Sequence, residues 1–113
     1  MRYALVALLL STPAFAADPA LSVGFGEVDV SPEVGKKPVY MAGFGQNRTA
    51  TKLHDPLMAR AVVFKHDDRK IAIVAVDLVA FFHANVDSVR KELAGFTYVL
   101  VPSTHNHRGP DQP

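Results

Sequence analysis

The sequence predicts an α/β fold, or an α+β fold, in which a mixed β-sheet contains a β-α-β crossover unit and helices pack on the sheet. Two apolar runs, residues 71–76 and 98–101, flank a segment whose apolar residues recur at helical spacing. An unbroken apolar run is typical of a strand buried on both faces in the middle of an α/β sheet. The two runs should therefore be parallel neighbours joined by a right-handed crossover.

The earlier part of the chain predicts two further strands, over residues 23–30 and 57–65. Residues 23–30 alternate roughly between apolar and other positions, which indicates a strand with one irregularity near Gly26. Residues 57–65 and 70–77 are rich in apolar and β-branched side chains, and a polar turn over residues 66–69 separates them. These two segments therefore predict a hairpin whose second strand, residues 70–77, becomes the first strand of the crossover unit.

A helix is expected between the two apolar runs. Asp87 and Lys91 are placed to pair at i and i+4, and Gly95 supplies a stop signal. The apolar positions that predict the helix are Phe82, Val86, Val89 and Leu93. The crossover would place Asp77 and residues 104–107 at the carboxyl ends of adjacent strands, where open α/β sheets usually hold ligands. Asp77 is either a cap that accepts backbone N–H groups or a carboxylate that supports a histidine.

The His105-x-His107 pair is the strongest chemical signal. Residues two apart in an extended segment point to the same side, so both imidazoles could face one ion. Neutral imidazole suits zinc, but a catalytic zinc usually takes three or more protein ligands and a water. Two histidines are thus part of a site, or else solvent-exposed loop residues. Gly109-Pro110 predicts an abrupt turn after the pair, and Asp111 adds a carboxylate able to ligate or to orient an imidazole.

The N-terminus predicts export. Arg2 is followed by an apolar segment over residues 3–10 and by the small-x-small sequence of residues 14–16, as in a cleaved secretory signal of bacterial type. The apolar run is shorter than the roughly 20 residues of a membrane span. We therefore expect residues 1–16 to be a signal peptide and the mature chain, residues 17–113, to be secreted or periplasmic. Without cysteine, this small domain must depend on packing, a metal or further sequence, and we expect it to be incomplete.

Charge and short motifs exclude several function classes. A formal net charge of +1 argues against nucleic-acid binding. The Gly24-x-Gly26 and Gly43-x-Gly45 pairs lack the third glycine of a nucleotide-binding loop. We expect these glycines instead to permit turns or close backbone approach around a ligand cavity. His54-Asp55-Pro56 is interpreted as a turn before a strand. Metal-dependent amidohydrolase barrels also use His-x-His, generally after their first strand, and remain a weaker alternative.

A series of motifs resembles, in order and spacing, the N-terminal portion of the neutral/alkaline non-lysosomal ceramidase family, over essentially the whole mature chain. The motifs are Gly24-x-Gly26-x-x-Asp29-x-Ser31-Pro32, Met41-Ala42-Gly43-Phe44-Gly45, Arg48, His54-Asp55-Pro56-Leu57, Ala59-Arg60-Ala61, Val76-Asp77-Leu78 and Thr104-His105-Asn106-His107-x-Gly109-Pro110-Asp111. The terminal motif is the most specific of them.

The resemblance implies a zinc hydrolase that cleaves N-acylsphingosine to a fatty acid and sphingosine, with zinc (Zn²⁺) held by two histidines, a glutamate and a tyrosine. On this basis His105 is a metal ligand. His107 is the catalytic residue beside the metal, which would orient the substrate or the reacting water. The other ligands of the family have no counterpart in this chain, so the fragment is expected to be inactive alone. The implied partner is a lipid-like or small amide substrate. The resemblance also allows peripheral contact of the full-length protein with a membrane surface.

The terminal motif departs from the family sequence His-Thr-His-Ser-Gly-Pro-Gly at Asn106, Arg108 and Asp111. Arg108 adds a cation near the site and favours an anionic or more polar substrate than ceramide. Two alternatives therefore stand beside a ceramidase fragment: an exported metal-dependent esterase or amidase acting on a polar substrate, and a non-catalytic product of a truncated gene.

Overall fold

Four strands and one helix make up the computed structural model, which describes residues 20–111. The predicted signal peptide lies outside the described residues. The strands and helix, in chain order, are β1 (Ser22–Asp29), β2 (Met58–His66), β3 (Arg69–Val76), α1 (His83–Glu92) and β4 (Tyr98–Leu100). No helix within residues 20–111 is long and apolar enough to cross a membrane.

The strands form one mixed sheet in the order β1-β2-β3-β4. β1 pairs antiparallel with β2, and β2 with β3, while β3 pairs in parallel with β4. The predicted hairpin is β2-β3, and the predicted β-α-β unit is β3-α1-β4. Both predictions are confirmed, and so is the small, incomplete α/β class of the fold.

The predicted irregularity near Gly26 is wrong. The register of β1 against β2 is unbroken from Ser22 opposite Lys65 to Asp29 opposite Met58, with Gly26 opposite Ala61. Strict alternation places Phe25 and Val28 on opposite faces of the sheet. Because every residue of β1 is exposed, no buried face fixes which positions must be apolar, and the change of phase needs no bulge.

The helix also differs from the sequence pattern in its details. α1 ends at Glu92, three residues before the expected stop at Gly95, and the amide of its C-cap residue Leu93 bonds to the Val89 carbonyl. Asp87 does not pair with Lys91. It instead lies 3.4 Å from both His83 Nε2 and Arg90 Nη1, one turn away on either side. Arg90, three residues after Asp87, therefore takes the place of the expected partner Lys91. Its guanidinium group offers more hydrogen-bond donors than an ammonium group does.

The core lies between α1 and one face of the sheet. Its buried residues are Ala72, Val76, Leu78, Val86, Val99 and Val101. The opposite face is open within the described residues, and its exposed apolar side chains include Phe25, Phe64, Ile71, Tyr98 and Leu100. The prediction that β3 is buried on both faces is thus wrong for residues 20–111, since Ile71 is 42% exposed. The interior position of β3 in the sheet is confirmed.

Candidate functional site

The carboxyl ends of β3 and β4 bring the predicted site residues together. Parallel pairing continues past both strands: the Thr104 amide bonds to the Val76 carbonyl at 2.9 Å and the Asn106 amide to the Leu78 carbonyl at 3.2 Å. Asp77 and the His105 segment therefore lie side by side, as the crossover predicted. Hydrogen bonds to carbonyl groups at and after the end of β3 therefore fix the path of the segment that follows β4.

His105 presents one ring nitrogen to the backbone and keeps the other open. Its Nδ1 lies 2.8 Å from the carbonyl oxygen of Val79. A carbonyl only accepts, so Nδ1 carries the proton and donates it, which leaves the lone pair on Nε2. Metal-ligating histidines are commonly held by such a bond from the second ring nitrogen. The main chain of His105 is left-handed, with φ 56°, so the segment is not extended as expected.

His107 occupies a half-buried place against the glycine-containing loop of residues 41–45. Its Nδ1 lies 3.3 Å from the Ala42 carbonyl oxygen, again leaving Nε2 as the acceptor nitrogen. The ring meets Phe44 edge-on at a centroid distance of 5.0 Å. The rings of His105 and His107 are also 5.0 Å apart and perpendicular. The structure therefore gathers both imidazoles, but it does so through a left-handed turn.

Gly43 allows the close approach of this loop to His107. A Cβ on Gly43 would lie 2.3 Å from His107 Nδ1, and its φ of 73° is itself left-handed. Arg48 braces the loop, because its Nη1 donates to the Gly43 carbonyl at 2.7 Å. The expectation that these glycines permit turns or close backbone approach is confirmed at Gly43. The support that Arg48 gives to the loop was not predicted.

Asp77 is a cap, as one of its two predicted roles required. Its Oδ2 accepts from the Met58 amide at 3.0 Å and from Arg60 Nη1 at 3.1 Å, and its Oδ1 accepts from the Thr104 hydroxyl at 3.2 Å. The Met58 amide bond is the main reason that the pKa of Asp77 lies below its ordinary value, with Thr104 and Arg60 adding to it. The carboxylate supports the backbone before His105 and makes no bond to a histidine.

The lowered pKa of Asp77 predicts an acid-dependent loss of stability. A carboxyl group whose pKa is lower in the folded chain stabilises the fold above its unfolded pKa, and this stabilisation is lost as the pH falls through the folded pKa. We expect Asp77→Asn to flatten the fall in the free energy of unfolding below about pH 4, where carboxyl groups titrate. Urea unfolding over a pH series measures this. Asp68→Asn, in the β2-β3 turn, is the control for removing a carboxyl group outside this hydrogen-bond network.

A cavity of about 810 Å³ opens beside these residues. His105, Asp77 and Arg108 line it on one side, and His54 and Asp55 also contribute to its wall. His54 Nδ1 lies 2.8 Å from Asp55 Oδ2, and both side chains are largely exposed. The predicted turn at residues 54–56 thus forms part of the cavity wall, whereas β2 begins only at Met58.

The remainder of the terminal motif closes this end of the sheet. Gly109 is buried, and its carbonyl accepts from the Ala42 amide at 3.2 Å. The Asp111 amide donates to the Tyr40 carbonyl at 2.7 Å, so the chain turns back after the histidines as Gly109-Pro110 predicted. A metal-binding role for the Asp111 carboxylate stays a prediction.

The donor set fits part of a zinc site. Both imidazoles are fixed through Nδ1 and offer Nε2, and neutral imidazole nitrogen is a ligand that zinc accepts readily. Among residues 20–111, however, no three histidine, cysteine, aspartate or glutamate side chains are grouped closely enough to hold a metal ion. Within the described part of the chain, His105 and His107 therefore have no third side chain of these types close enough to complete a metal site.

Solved ceramidase structures share this fold. The crystal structure of neutral ceramidase from Pseudomonas aeruginosa is 27% identical to the chain with a TM-score of 0.68, and the match covers 84% of this chain and 16% of that chain. The chain resembles a part of neutral ceramidase. A ceramidase complexed with C2 gives 27% identity and a TM-score of 0.66, with 83% of this chain and 16% of that chain covered. No family model and no curated protein sequence matches the chain.

The resemblance inferred from the motifs is thus confirmed at the level of the fold. The ceramidase-like chain spans about one sixth of the length of these solved structures, since 16% of each is covered. This chain's own sheet contains a β-α-β unit whose carboxyl edge holds the Thr104 to His107 segment.

Proposed function

We propose that the chain is part of an exported, zinc-dependent amide hydrolase that cleaves N-acylsphingosine to a fatty acid and sphingosine, and that it is inactive by itself. The observation that carries the proposal is the open Nε2 of His105, whose Nδ1 is held by the Val79 carbonyl at the edge of a ceramidase-like sheet. The N-terminal signal pattern supports export to the periplasm or the medium.

In this proposal His105 is a zinc ligand, and His107 is the catalytic residue beside the metal. A bound zinc ion lowers the pKa of a water molecule toward about 7 and polarises a carbonyl group. His105 contributes one neutral nitrogen, and the Val79 carbonyl keeps its ring in the tautomer that ligation requires. His107 Nε2 accepts a hydrogen bond from the substrate amide or the reacting water, with its ring held by the Ala42 carbonyl and by Phe44.

The cavity supports a substrate with an apolar part. Its 810 Å³ fall within the range of about 300–1,000 Å³ typical of small-molecule sites. Its wall combines apolar residues such as Val39 and Leu53 with the polar residues near His105. A lipid-like amide would place its acyl portion along the apolar wall and its amide at the histidines. Contact of the larger protein with a membrane surface would deliver such a substrate.

Zinc titration of the whole chain, together with a ceramide hydrolysis assay, tests the proposal. We expect no measurable hydrolysis and weak zinc binding, far below the roughly 10–16 kcal/mol of a complete structural zinc site. One ligand imidazole, with the second imidazole beside it, leaves the ion coordinated mainly by water. Tight, stoichiometric zinc binding or turnover by the isolated chain would contradict the view that the ligand set is partial.

The reading frame of the gene separates a fragment of an enzyme from a non-catalytic gene product. A frame that continues past Pro113 and encodes a further histidine, a glutamate and a tyrosine would support the enzyme. A genuine stop codon after Pro113 would contradict it, because the remaining ligands could not then be supplied by this chain.

A more polar substrate is the second candidate function. Arg108 lines the cavity, and its guanidinium forms no hydrogen bond or ion pair with the described residues, since only its amide bonds, to Asn106 Oδ1 at 2.7 Å. A free guanidinium at the cavity wall would bind a carboxylate or phosphate group on the substrate.

The preference for an anionic amide is expected to depend on Arg108. In the complete enzyme, Arg108→Ser should lower kcat/KM for an anionic N-acyl amide by about tenfold or more, the equivalent of one charged hydrogen bond. It should leave kcat/KM for ceramide nearly unchanged. Equal effects on both substrates would show that Arg108 does not set the charge preference. Lys36→Ser, at a surface ion pair with Glu33, is the control.

A further inference from the structure

We propose that Asp77 is a positioning residue: through the Thr104 hydroxyl it fixes the backbone from which His105 presents its imidazole. The proposal rests on the proposed function, in which His105 is a zinc ligand. Asp77 itself touches neither the ion nor the substrate in this role. It acts on His105 through the residue that precedes it.

The oxygens of Asp77 are already occupied by three donors. The Met58 amide and Arg60 Nη1 bond to Oδ2, and the Thr104 hydroxyl bonds to Oδ1. Only 19% of its side chain is exposed. A carboxylate shared among donors in this way is a poor proton acceptor and a poor additional ligand. Asp77 lines the cavity. Its hydrogen bonds nevertheless connect β2 with the segment that follows β4.

This connection matters because the backbone of His105 is left-handed, and contacts with neighbouring residues must hold it in that conformation. A non-glycine residue at φ 56° is left-handed, and this conformation persists only where neighbouring contacts determine it. The amides of Thr104 and Asn106, on either side, are bonded to the Val76 and Leu78 carbonyls. The Thr104 hydroxyl adds the side-chain anchor that links this turn to β2 through Asp77.

The same short segment holds both the backbone and the ring of His105. Residues 77–79 supply three successive acceptors: the Asp77 carboxylate to Thr104, the Leu78 carbonyl to Asn106 and the Val79 carbonyl to the His105 ring. If Thr104 moves away from Asp77, the His105 ring shifts relative to Val79. Since hydrogen bonds weaken steeply with misalignment, the Nδ1–H tautomer then loses its support.

The experiment compares Thr104→Val, Thr104→Ser and Thr97→Val in the full chain. Valine keeps the shape of threonine without the hydroxyl, whereas serine keeps the hydroxyl. Thr97 is the matched control, since its hydroxyl bonds to the Lys70 amide at the other end of the same two strands. Two quantities are measured: the tautomer of His105, from long-range proton–nitrogen NMR of the imidazole at neutral pH, and the dissociation constant for zinc. Thermal unfolding confirms that each variant is folded.

We expect Thr104→Val to convert His105 from the Nδ1–H form to a mixture of tautomers and to weaken zinc binding about fivefold, the loss of one hydrogen bond. Thr104→Ser and Thr97→Val should keep the tautomer and the affinity of the unmodified chain. Asp77→Ala, which removes the acceptor of the Thr104 hydroxyl, should reproduce the effect of Thr104→Val on the tautomer, and the double variant should add nothing further. This second series also serves if Thr104→Val fails to fold.

A folded Thr104→Val chain with an unchanged tautomer and affinity would overturn the positioning role. A tautomer that changes while zinc affinity stays constant would support the positioning of His105 but overturn its assignment as a ligand, and with it the proposed function. Equal loss of affinity in Thr97→Val would also overturn the role, because it would show a general effect of losing a hydroxyl from the sheet.

Discussion

Replacing His105 with alanine is expected to remove most of the zinc affinity of the chain and, in the complete enzyme, nearly all of its activity. The open Nε2 of His105 is the ligand nitrogen of the proposed site. Activation by a bound metal contributes several kcal/mol to a hydrolysis, so its loss should lower kcat about a thousandfold or more. Calorimetric titration with zinc and single-substrate kinetics measure the two effects.

Two further variants make the His105 result specific. Alanine at φ 56° is strained, whereas asparagine tolerates left-handed backbone, so His105→Asn separates the loss of the ligand from the loss of stability. His54→Ala removes another histidine from the same cavity wall and should retain zinc affinity. If zinc binding survives both His105→Ala and His105→Asn, the ligand assignment is wrong.

The sheet could be predicted because its signals are local. The β2-β3 hairpin follows from two apolar runs around a polar turn, and the β3-α1-β4 crossover follows from a change between strand and helix periodicity. The topology rule for parallel strands then places Asp77 next to the His105 segment, as the structure shows. These inferences need no knowledge of side-chain contacts between distant residues.

β1 was harder to predict, because its pattern carries less physical information. None of its residues is buried within the described part of the chain. A strand with one buried face needs its apolar residues at alternate positions. A strand with no buried face has no such requirement, so Phe25 and Val28 can face opposite sides of the sheet without a bulge. The apolar run of β3 likewise predicts cover on both faces of the sheet, whereas α1 covers only one face in residues 20–111.

The finer geometry of the site depends on contacts that no local pattern encodes. The bond between His107 and the Ala42 carbonyl joins residues 65 positions apart, and the Asp77–Thr104 bond spans 27. The left-handed backbone of His105 follows from these tertiary restraints rather than from the His-x-His spacing. The spacing predicts that the two imidazole rings lie close together, and they do, but a left-handed turn rather than an extended strand brings them there.

The pair of neighbouring glycines around Phe44 did contain a signal for the site. Gly43 and Gly45 both have positive φ, a backbone conformation that residues with a Cβ atom adopt only at a cost in free energy. What the sequence could not show is that the open side of Gly43 faces the ring of His107.

Replacing Gly43 with alanine is expected to displace the His107 ring and to destabilise the chain. The new Cβ would lie 2.3 Å from His107 Nδ1, too close for any real contact, and would also add left-handed strain. We expect the strain to cost about 1–2 kcal/mol and the clash about 1–3 kcal/mol more. Urea unfolding and the NMR signals of the His107 imidazole measure the two consequences.

Gly35→Ala separates the clash from the strain. Gly35 has φ 99°, comparable to the 73° of Gly43, but a Cβ there would meet nothing within 4 Å. Both variants should lose stability through backbone strain, while only Gly43→Ala should change the His107 signals. In the complete enzyme, Gly43→Ala should also reduce kcat, because the His107 ring, which we propose to orient the substrate, would move away from the Ala42 carbonyl. Equal stability losses with an unchanged His107 spectrum would mean that the loop yields instead of the histidine, and that Gly43 serves only the turn.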